Sequence, residues 1–420
     1  MKIYKFGGAS VKDAEGVKNV ATVLRSQRFE ECVIVVSAMG KTTNALEKVV
    51  ENYFHKNDYK NEIEKVKSSH LEIVNKLFTL GSAVYKEINT VFDDMEFFLE
   101  RNKSPNYNFV YDQVVSSGEI ISSKILSSFL NSQQLENTWL DAREFIKTDS
   151  NYREGNIDWE STHRNISALE SGNCYVTQGF IGSETDNFTV TLGREGSDYS
   201  AAVFAYCLNA EALTIWKDVP GVMTADPRKF PDATLLSNIS YEEAIEMAYY
   251  GASVIHPKTL QPLLQKNIPF YVKSFLEPDK AGTKVGFTDK NLFEETYILK
   301  ENQHLMHIDT RDFSFIAEEH LSQIFGFLAK FKVKISLMQN SAISLALCLE
   351  DKYGNIDELN RELQQIFNTE TVKNVSLYTV RNANLQDLDK FYANKNILLE
   401  QISKKNHPSC NQLITNEPDI

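Results

Sequence analysis

Residues Cys32-Val33-Ile34-Val35-Val36 form an apolar run with no polar break. Such a run is too short for a buried helix and lacks alternation, so it predicts a strand covered on both faces, as parallel-sheet strands are. A parallel strand needs a crossover before it. The chain supplies one: Ile3–Phe6 is a short apolar strand, Gly7-Gly8 breaks it, and Val11–Ser26 carries a helical pattern. From 110 to 290 the alternation returns. Strands are expected at Tyr175–Ile181, Phe188–Leu192, Ala212–Trp216 and Phe270–Lys273, with helices at Glu119–Leu130, Ser197–Cys207, Tyr241–Tyr249 and Lys258–Gln265. That succession predicts an α/β domain over residues 1–290 built on a mainly parallel sheet sandwiched by helices.

Within it, residues 51–103 are rich in Asn, Lys and Glu, and Val84, Ile88, Val91, Met95 and Phe98 step by four and three. This predicts a helical hairpin broken near Gly81, used for packing or dimerisation. Beyond residue 296 the pattern changes. His304–Asp309, Val333–Leu337, the alternating Ile343–Leu349 and Val375–Val380 read as strands, and two helical stripes, Leu321–Leu328 and Leu359–Phe367, fall between them. The order βαββαβ predicts a ferredoxin-like module over 296–382. Residues 383–420 are polar and weakly patterned, a short tail with one helical stretch expected near Leu385–Ile402.

The 420 residues are 42% hydrophobic and 24% charged, enough to bury a large interior. The net charge of −13 argues against nucleic acid as a partner. No apolar run approaches the ~18 residues of a membrane helix, and the N-terminus shows no leader pattern, so no membrane partner is expected. The five cysteines are scattered without a C-x-x-C pair. They predict neither a disulfide framework nor a zinc site, and a cytoplasmic location.

Chemistry could sit at several glycine-punctuated turns. Lys5-Phe6-Gly7-Gly8-Ala9-Ser10 runs from a strand into a helix, so bare backbone N–H groups can approach an anion beside the Lys5 cation and the Ser10 hydroxyl. Gly40-Lys41-Thr42 is not the end of a P-loop, because Val35 stands where that motif needs glycine. In Gly193-Arg194-Glu195-Gly196-Ser197-Asp198, Arg194 can fork a carboxylate or phosphate, while Asp198 is either a helix-dipole partner or an active-site carboxylate. Glu119 in Ser116-Ser117-Gly118-Glu119 is either a cap or the holder of a substrate ammonium. Pro220-Gly221 and Asp226-Pro227 mark ordered turns, and His256, ahead of Pro257 at a helix start, reads as structural.

Together and in order, these segments resemble the aspartate kinases of the amino-acid kinase superfamily. KFGGAS (5–10), SAMGKTTN (37–44), SSGE (116–119), GREGSD (193–198), KDVPGVMTADPR (217–228), GASVIHPKT (251–259) and EPDKAGTKV (277–285) match that family's motifs. The C-terminal module occupies the place of its regulatory ACT domain, with the tail as a possible remnant of a second copy. The resemblance implies phosphorylation of the L-aspartate β-carboxylate by MgATP, giving 4-phospho-L-aspartate for lysine, threonine and methionine synthesis, in a homodimer with a possible amino-acid effector. It implies that Lys5, Gly7, Gly8 and Ser10 hold the phosphates and that Asp198 orients Lys5 or the metal shell, with no metal site of the protein's own. It assigns Thr43, Glu119, Arg194 and Ser197 to aspartate, Glu119 on its ammonium and Arg194 on its α-carboxylate. Lys217, Asp218, Met223 and Arg228 would line the nucleotide site.

The chain departs from the family at several of these positions. Ala9 replaces a threonine and Glu195 a common glycine. Ser253 takes the place of an ATP-binding lysine, while Lys217 stands where threonine is common; the missing cation is expected from Lys217 or Lys258. Ala317-Glu318-Glu319 and Ser336 replace the family's lysine-effector contacts, so weak or absent lysine inhibition is expected. The alternatives are a catalytically weak ATP- and amino-acid-binding sensor acting through the C-terminal module, kept open by Ala9 and Ser253, and a glutamate-type kinase. No homoserine dehydrogenase segment is expected, since no G-x-G-x-x-G strand–helix unit occurs.

Overall fold

The apolar run is strand β2 (Cys32–Val36), every residue of it buried. It pairs in parallel with β1 (Lys2–Phe6), reached through a 3-10 turn (Gly8–Val11) and α1 (Ala14–Ser26). The computed structural model describes residues 1–27, 30–252, 255–287, 294–312, 314–382, 396–403 and 410–416. The chain divides into two compact units, the first comprising Met1–Val222, Leu235–Ile245 and Val254–Asp289. The second comprises Met223–Thr234, Glu246–Ser253 and Lys290–Ile420.

After β2 come α2 (Thr42–Phe54), α3 (Tyr59–Leu77), α4 (Ala83–Arg101), α5 (Tyr107–Val115) and α6 (Ser117–Ser132). Next are β3 (Thr138–Leu140), α7 (Ala142–Phe145), α8 (Trp159–Ser167), β4 (Cys174–Gln178) and the hairpin β5 (Ile181–Ser183) with β6 (Thr189–Thr191). Then α9 (Gly196–Cys207), β7 (Ala212–Lys217), β8 (Asn238–Ile239), α10 (Tyr241–Tyr250), α11 (Pro257–Gln265), β9 (Phe270–Ser274) and β10 (Thr283–Val285) follow. The sheet order is β3-β4-β2-β1-β7-β9-β10-β8, and every pairing is parallel except β9 with β10.

β1 and β7 lie side by side because their apolar ends match. Phe6 is in register with Trp216, their rings stack 6.0 Å apart, and both are fully buried. Burial of each such side chain contributes roughly 1.5–3 kcal/mol. The helical hairpin breaks around Gly81 as its pattern predicts. Its stripe (Val84, Ile88, Met95) packs with Ile63, Val66 and Val74 in this unit's own core. Val91 and Phe98 of the same stripe are half-buried against that core.

In the second unit, β11 (Thr296–Asp309), α12 (Glu318–Lys330), β12 (Lys334–Asn340), β13 (Ser344–Glu350), α13 (Ile356–Leu363) and β14 (Asn368–Arg381) follow in the order βαββαβ. Two more strands, β15 (Asn396–Ser403) and β16 (Cys410–Asn416), extend an antiparallel sheet of order β12-β13-β11-β14-β16-β15. Strict alternation along β13 sends Leu345, Leu347 and Leu349 toward α12 and α13. Ala346 and Cys348 pack on the other side with Leu337, Leu377 and Ile414. The helix expected near Leu385–Ile402 is corrected over residues 396–402, which are strand; 383–395 lie outside the described residues. Ile397 to Ile402 has the apolar content of either element, and pairing with β16 settles it as strand.

Candidate active site

Lys5 stands at the C-terminal end of β1, and Lys217 closes the adjacent β7. The β1 connection runs to β2 on one side, with β7 on the other. This leaves a crevice beyond the carboxyl ends of the strands where ligands of open α/β sheets bind. Asp198, in the first turn of α9, fills the floor. Its carboxylate is 1% exposed and lies 2.6 Å from Lys5 Nζ and 3.5 Å from Lys217 Nζ. Burial pushes the Asp198 carboxyl up, but the two ammonium groups outweigh it and hold the group below the usual range. Both ammonium groups stand where phosphates are expected.

The turn after β1 brings backbone to the same place. A side chain at Gly8 would put its Cβ 2.7 Å from the Ala38 carbonyl oxygen, so only glycine lets this turn approach the 37–42 segment. The Gly40 N–H donates to the Gly8 carbonyl at 3.0 Å. Gly7 lies under Lys5, its Cβ position 3.5 Å from Nζ. The Ser10 hydroxyl is buried with no hydrogen-bond partner among the described residues.

The 37–42 segment also meets α6. Thr42 Cγ2 and Ala38 Cβ lie 3.0 and 3.1 Å from where a Gly118 side chain would start. Glu119, the next residue, is 2% exposed, and its Oε2 has no hydrogen-bond partner among the described residues. Burial pushes its carboxyl up to about 8, although the backbone N–H groups of Glu119 and Ala38 favour the charged form. Oε2 is thus the oxygen of this buried carboxyl that a ligand donor would meet. Thr43, half-buried, lies one residue beyond Thr42 in α2. Behind Thr42, the buried His70 of α3 places Nε2 3.3 Å from its hydroxyl, and His70 Nδ1 donates to the Val66 carbonyl at 2.7 Å.

Ser197 abuts the β4–β5 junction, its Cβ 2.5 Å from where a Gly179 side chain would begin. Arg194 and Glu195 are exposed on the loop before α9, where Glu195 takes the left-handed conformation. Lys258 is exposed in the first turn of α11, and His256 caps that helix by accepting the Lys258 N–H at 3.2 Å. Asp218 is exposed beyond β7. Met223 and Arg228 belong to the second unit, where Arg228 pairs with Asp226 at 2.7 Å. Ser253 lies outside the described residues. Of the sequence-predicted residues, the structure thus joins Lys5, Asp198 and Lys217 directly. It sets Gly7, Gly8, Thr43 and Glu119 along one interconnected set of turns.

A family model described as the amino acid kinase family matches residues 1–274. The chain belongs to the amino acid kinase family. Within it, the chain is 30% identical to lysine-sensitive aspartokinase 3 of Escherichia coli, over 83% of this chain and 78% of that one. It is 30% identical to the bifunctional aspartokinase/homoserine dehydrogenase of Buchnera aphidicola over 87% of this chain, yet spans 47% of that enzyme's length. The structure of E. coli aspartokinase III in complex with aspartate and ADP superposes with a TM-score of 0.82 at 27% identity, covering 98% of this chain and 96% of that one. These similarities set this amino acid kinase among the aspartokinases. No helix among its described residues is long and apolar enough to cross a membrane.

Two groups near the site were not singled out in the sequence. His70 and Asp112 are buried polar residues on helices of otherwise ordinary pattern. A charged residue on the buried side of α5 was the available signal for Asp112.

Proposed function

We propose that this chain is an aspartate kinase, transferring the γ-phosphoryl group of ATP to the β-carboxylate of L-aspartate. The observation that carries this reading is the Lys5–Asp198–Lys217 cluster at the ends of β1 and β7. The nucleophile is a carboxylate already ionised at pH 7, so no general base is needed. Catalysis reduces to positioning and to cations against charge on the transferring group. A β-carboxylate oxygen attacks the γ-phosphorus, the bond to the bridging oxygen breaks, and ADP leaves with that electron pair.

Lys5, with Gly7, Gly8 and Ser10, receives the phosphates, and Lys217 supplies the second cation. Glu119 takes the substrate ammonium, Arg194 the α-carboxylate, and Thr43 and Ser197 complete that side. Asp218 is assigned to the nucleotide, and Lys258, exposed in the first turn of α11, is left out of it. Among the described residues no group of three or more His, Cys, Asp or Glu could hold a metal. Magnesium would arrive on the nucleotide's phosphates and offset part of their charge. Among the described residues no cysteine is joined in a disulfide, and the scattered cysteine usage supports a cytoplasmic location. Glu318 and Glu319 are exposed at the start of α12, and the Ser336 hydroxyl donates to Gln303 Oε1 at 2.9 Å. This supports weak or absent inhibition by lysine. ADP release measured with and without L-aspartate tests the assignment: release must depend on aspartate.

A further inference from the structure

We propose that Asp112 and Arg153 form a positioning knot that keeps the Arg194 loop and the start of α2 in register. The inference rests on the amino-acid site proposed above, because those two elements carry Arg194 and Thr43. Asp112 projects from α5 and is fully buried. Its Oδ2 accepts the backbone N–H groups of both Arg153 and Thr191, each at 2.9 Å, and its Oδ1 accepts the Thr191 hydroxyl at 2.7 Å. Thr191 ends β6, three residues before Arg194.

The segment around Arg153 packs back on the same loop. The Gly155 N–H donates to the Thr191 carbonyl at 2.9 Å. Gly193 sits at φ +78°, and any Cβ there would lie 3.2 Å from the Arg153 carbonyl oxygen. Arg153 itself is held at φ +72°, a conformation that non-glycine residues keep only when their surroundings over-determine it.

From the same residue the guanidinium reaches the other way. It lies over the Tyr111 ring at 3.9 Å and pairs with Glu47 Oε1 at 3.2 Å. Glu47 is one turn beyond Thr43 on α2. Asp112 therefore grips the backbone of Arg153 and of the Arg194 loop, while the Arg153 side chain grips α2. Neither residue needs to touch the substrate; both fix the spacing between groups that do. A misplacement of about 1 Å in such groups costs on the order of 10²-fold in rate.

The test separates positioning from general stability. Asp112→Ala should raise the aspartate KM by about 10-fold or more and leave the ATP KM within about 2-fold. Asp112→Asn keeps an oxygen for the two N–H groups, and its amide can donate to the Thr191 hydroxyl, so it should restore the aspartate KM. Amide hydrogen exchange supplies a readout independent of turnover. Asp112→Ala should speed exchange at residues 189–195, and Arg153→Ala at 43–48, with Asp112→Asn near the unaltered chain at both. If Asp112→Ala does not fold, Arg153→Ala and Thr191→Val carry the same comparison. Equal changes in both KM values, or exchange unchanged at both segments, overturn the knot. An unaltered chain with no aspartate turnover fails the kinase reading instead, and the exchange data still decide the knot.

Discussion

Replacing Glu119 by glutamine removes a titratable carboxyl from a place where the free protein can least accommodate its charge. Burial raises this carboxyl from an ordinary 4.5 to about 8, and Oε2 has no hydrogen-bond partner among the described residues. A carboxyl raised on folding binds its proton more tightly in the folded chain. Its contribution is favourable below the unfolded value and is lost as pH climbs from 4.5 through about 8. The full span corresponds to roughly 5 kcal/mol between pH 4 and pH 9, at about 1.36 kcal/mol per pH unit. Glu119→Gln does not titrate, so the ligand-free variant should match the unaltered chain in thermal stability near pH 5 and exceed it progressively toward pH 9. Aspartate binding should show the converse. The ammonium draws Glu119 into its charged form, so binding near pH 7 should release close to one proton, and loss of the buried charge pair should cost the variant about 2–5 kcal/mol of affinity. Titration calorimetry in two buffers of different ionisation enthalpy measures both quantities. Equal proton release by variant and unaltered chain, or a stability difference independent of pH, refutes the reasoning.

Three further predictions follow from the same geometry. Asp198→Ala should destabilise the chain by about 3–5 kcal/mol, because it leaves the Lys5 and Lys217 ammoniums facing each other without their anion; inorganic phosphate should recover part of the loss in thermal denaturation. Since the Asp198 carboxyl is held low, its contribution is present above pH 3.8, the ordinary value, and is lost as pH falls through the depressed one. Lys217→Ala should raise the ATP KM several-fold in steady-state assays, and Lys258→Ala, exposed on α11, should change it little; equal effects would remove Lys217 from the phosphate site. A lysine titration of the activity should show no strong inhibition at sub-millimolar concentration, and a clear sub-millimolar midpoint would return the C-terminal module to lysine control.

Much of the fold is written locally. The doubly apolar run at 32–36 can only be an interior strand, and the break at Gly81 between two amphipathic stretches admits little but a helical hairpin. The motif residues Lys5, Glu119 and Asp198 were legible through family resemblance. Their roles became physical only when long-range neighbours appeared. Lys217 reaches Asp198 because β7 pairs with β1 across more than two hundred residues of chain, and no local pattern encodes that adjacency. Asp112 is illegible locally for the same reason: a single acidic residue in Tyr107–Val115 gains its meaning from Arg153 and Thr191. The strand Asn396–Ser403 overlaps the helix expected near Leu385–Ile402 because its apolar residues suit either period, and only the partner strand β16 decides.

The most direct measurement is ADP release by the purified chain with MgATP and L-aspartate, beside parallel reactions with glutamate, N-acetylglutamate and no acceptor. An aspartate kinase built on the Lys5–Asp198–Lys217 cluster and Glu119 turns over with aspartate alone, and loses that turnover in Glu119→Gln. Release at the same rate with every acceptor, or none with aspartate while ATP still binds, would contradict it.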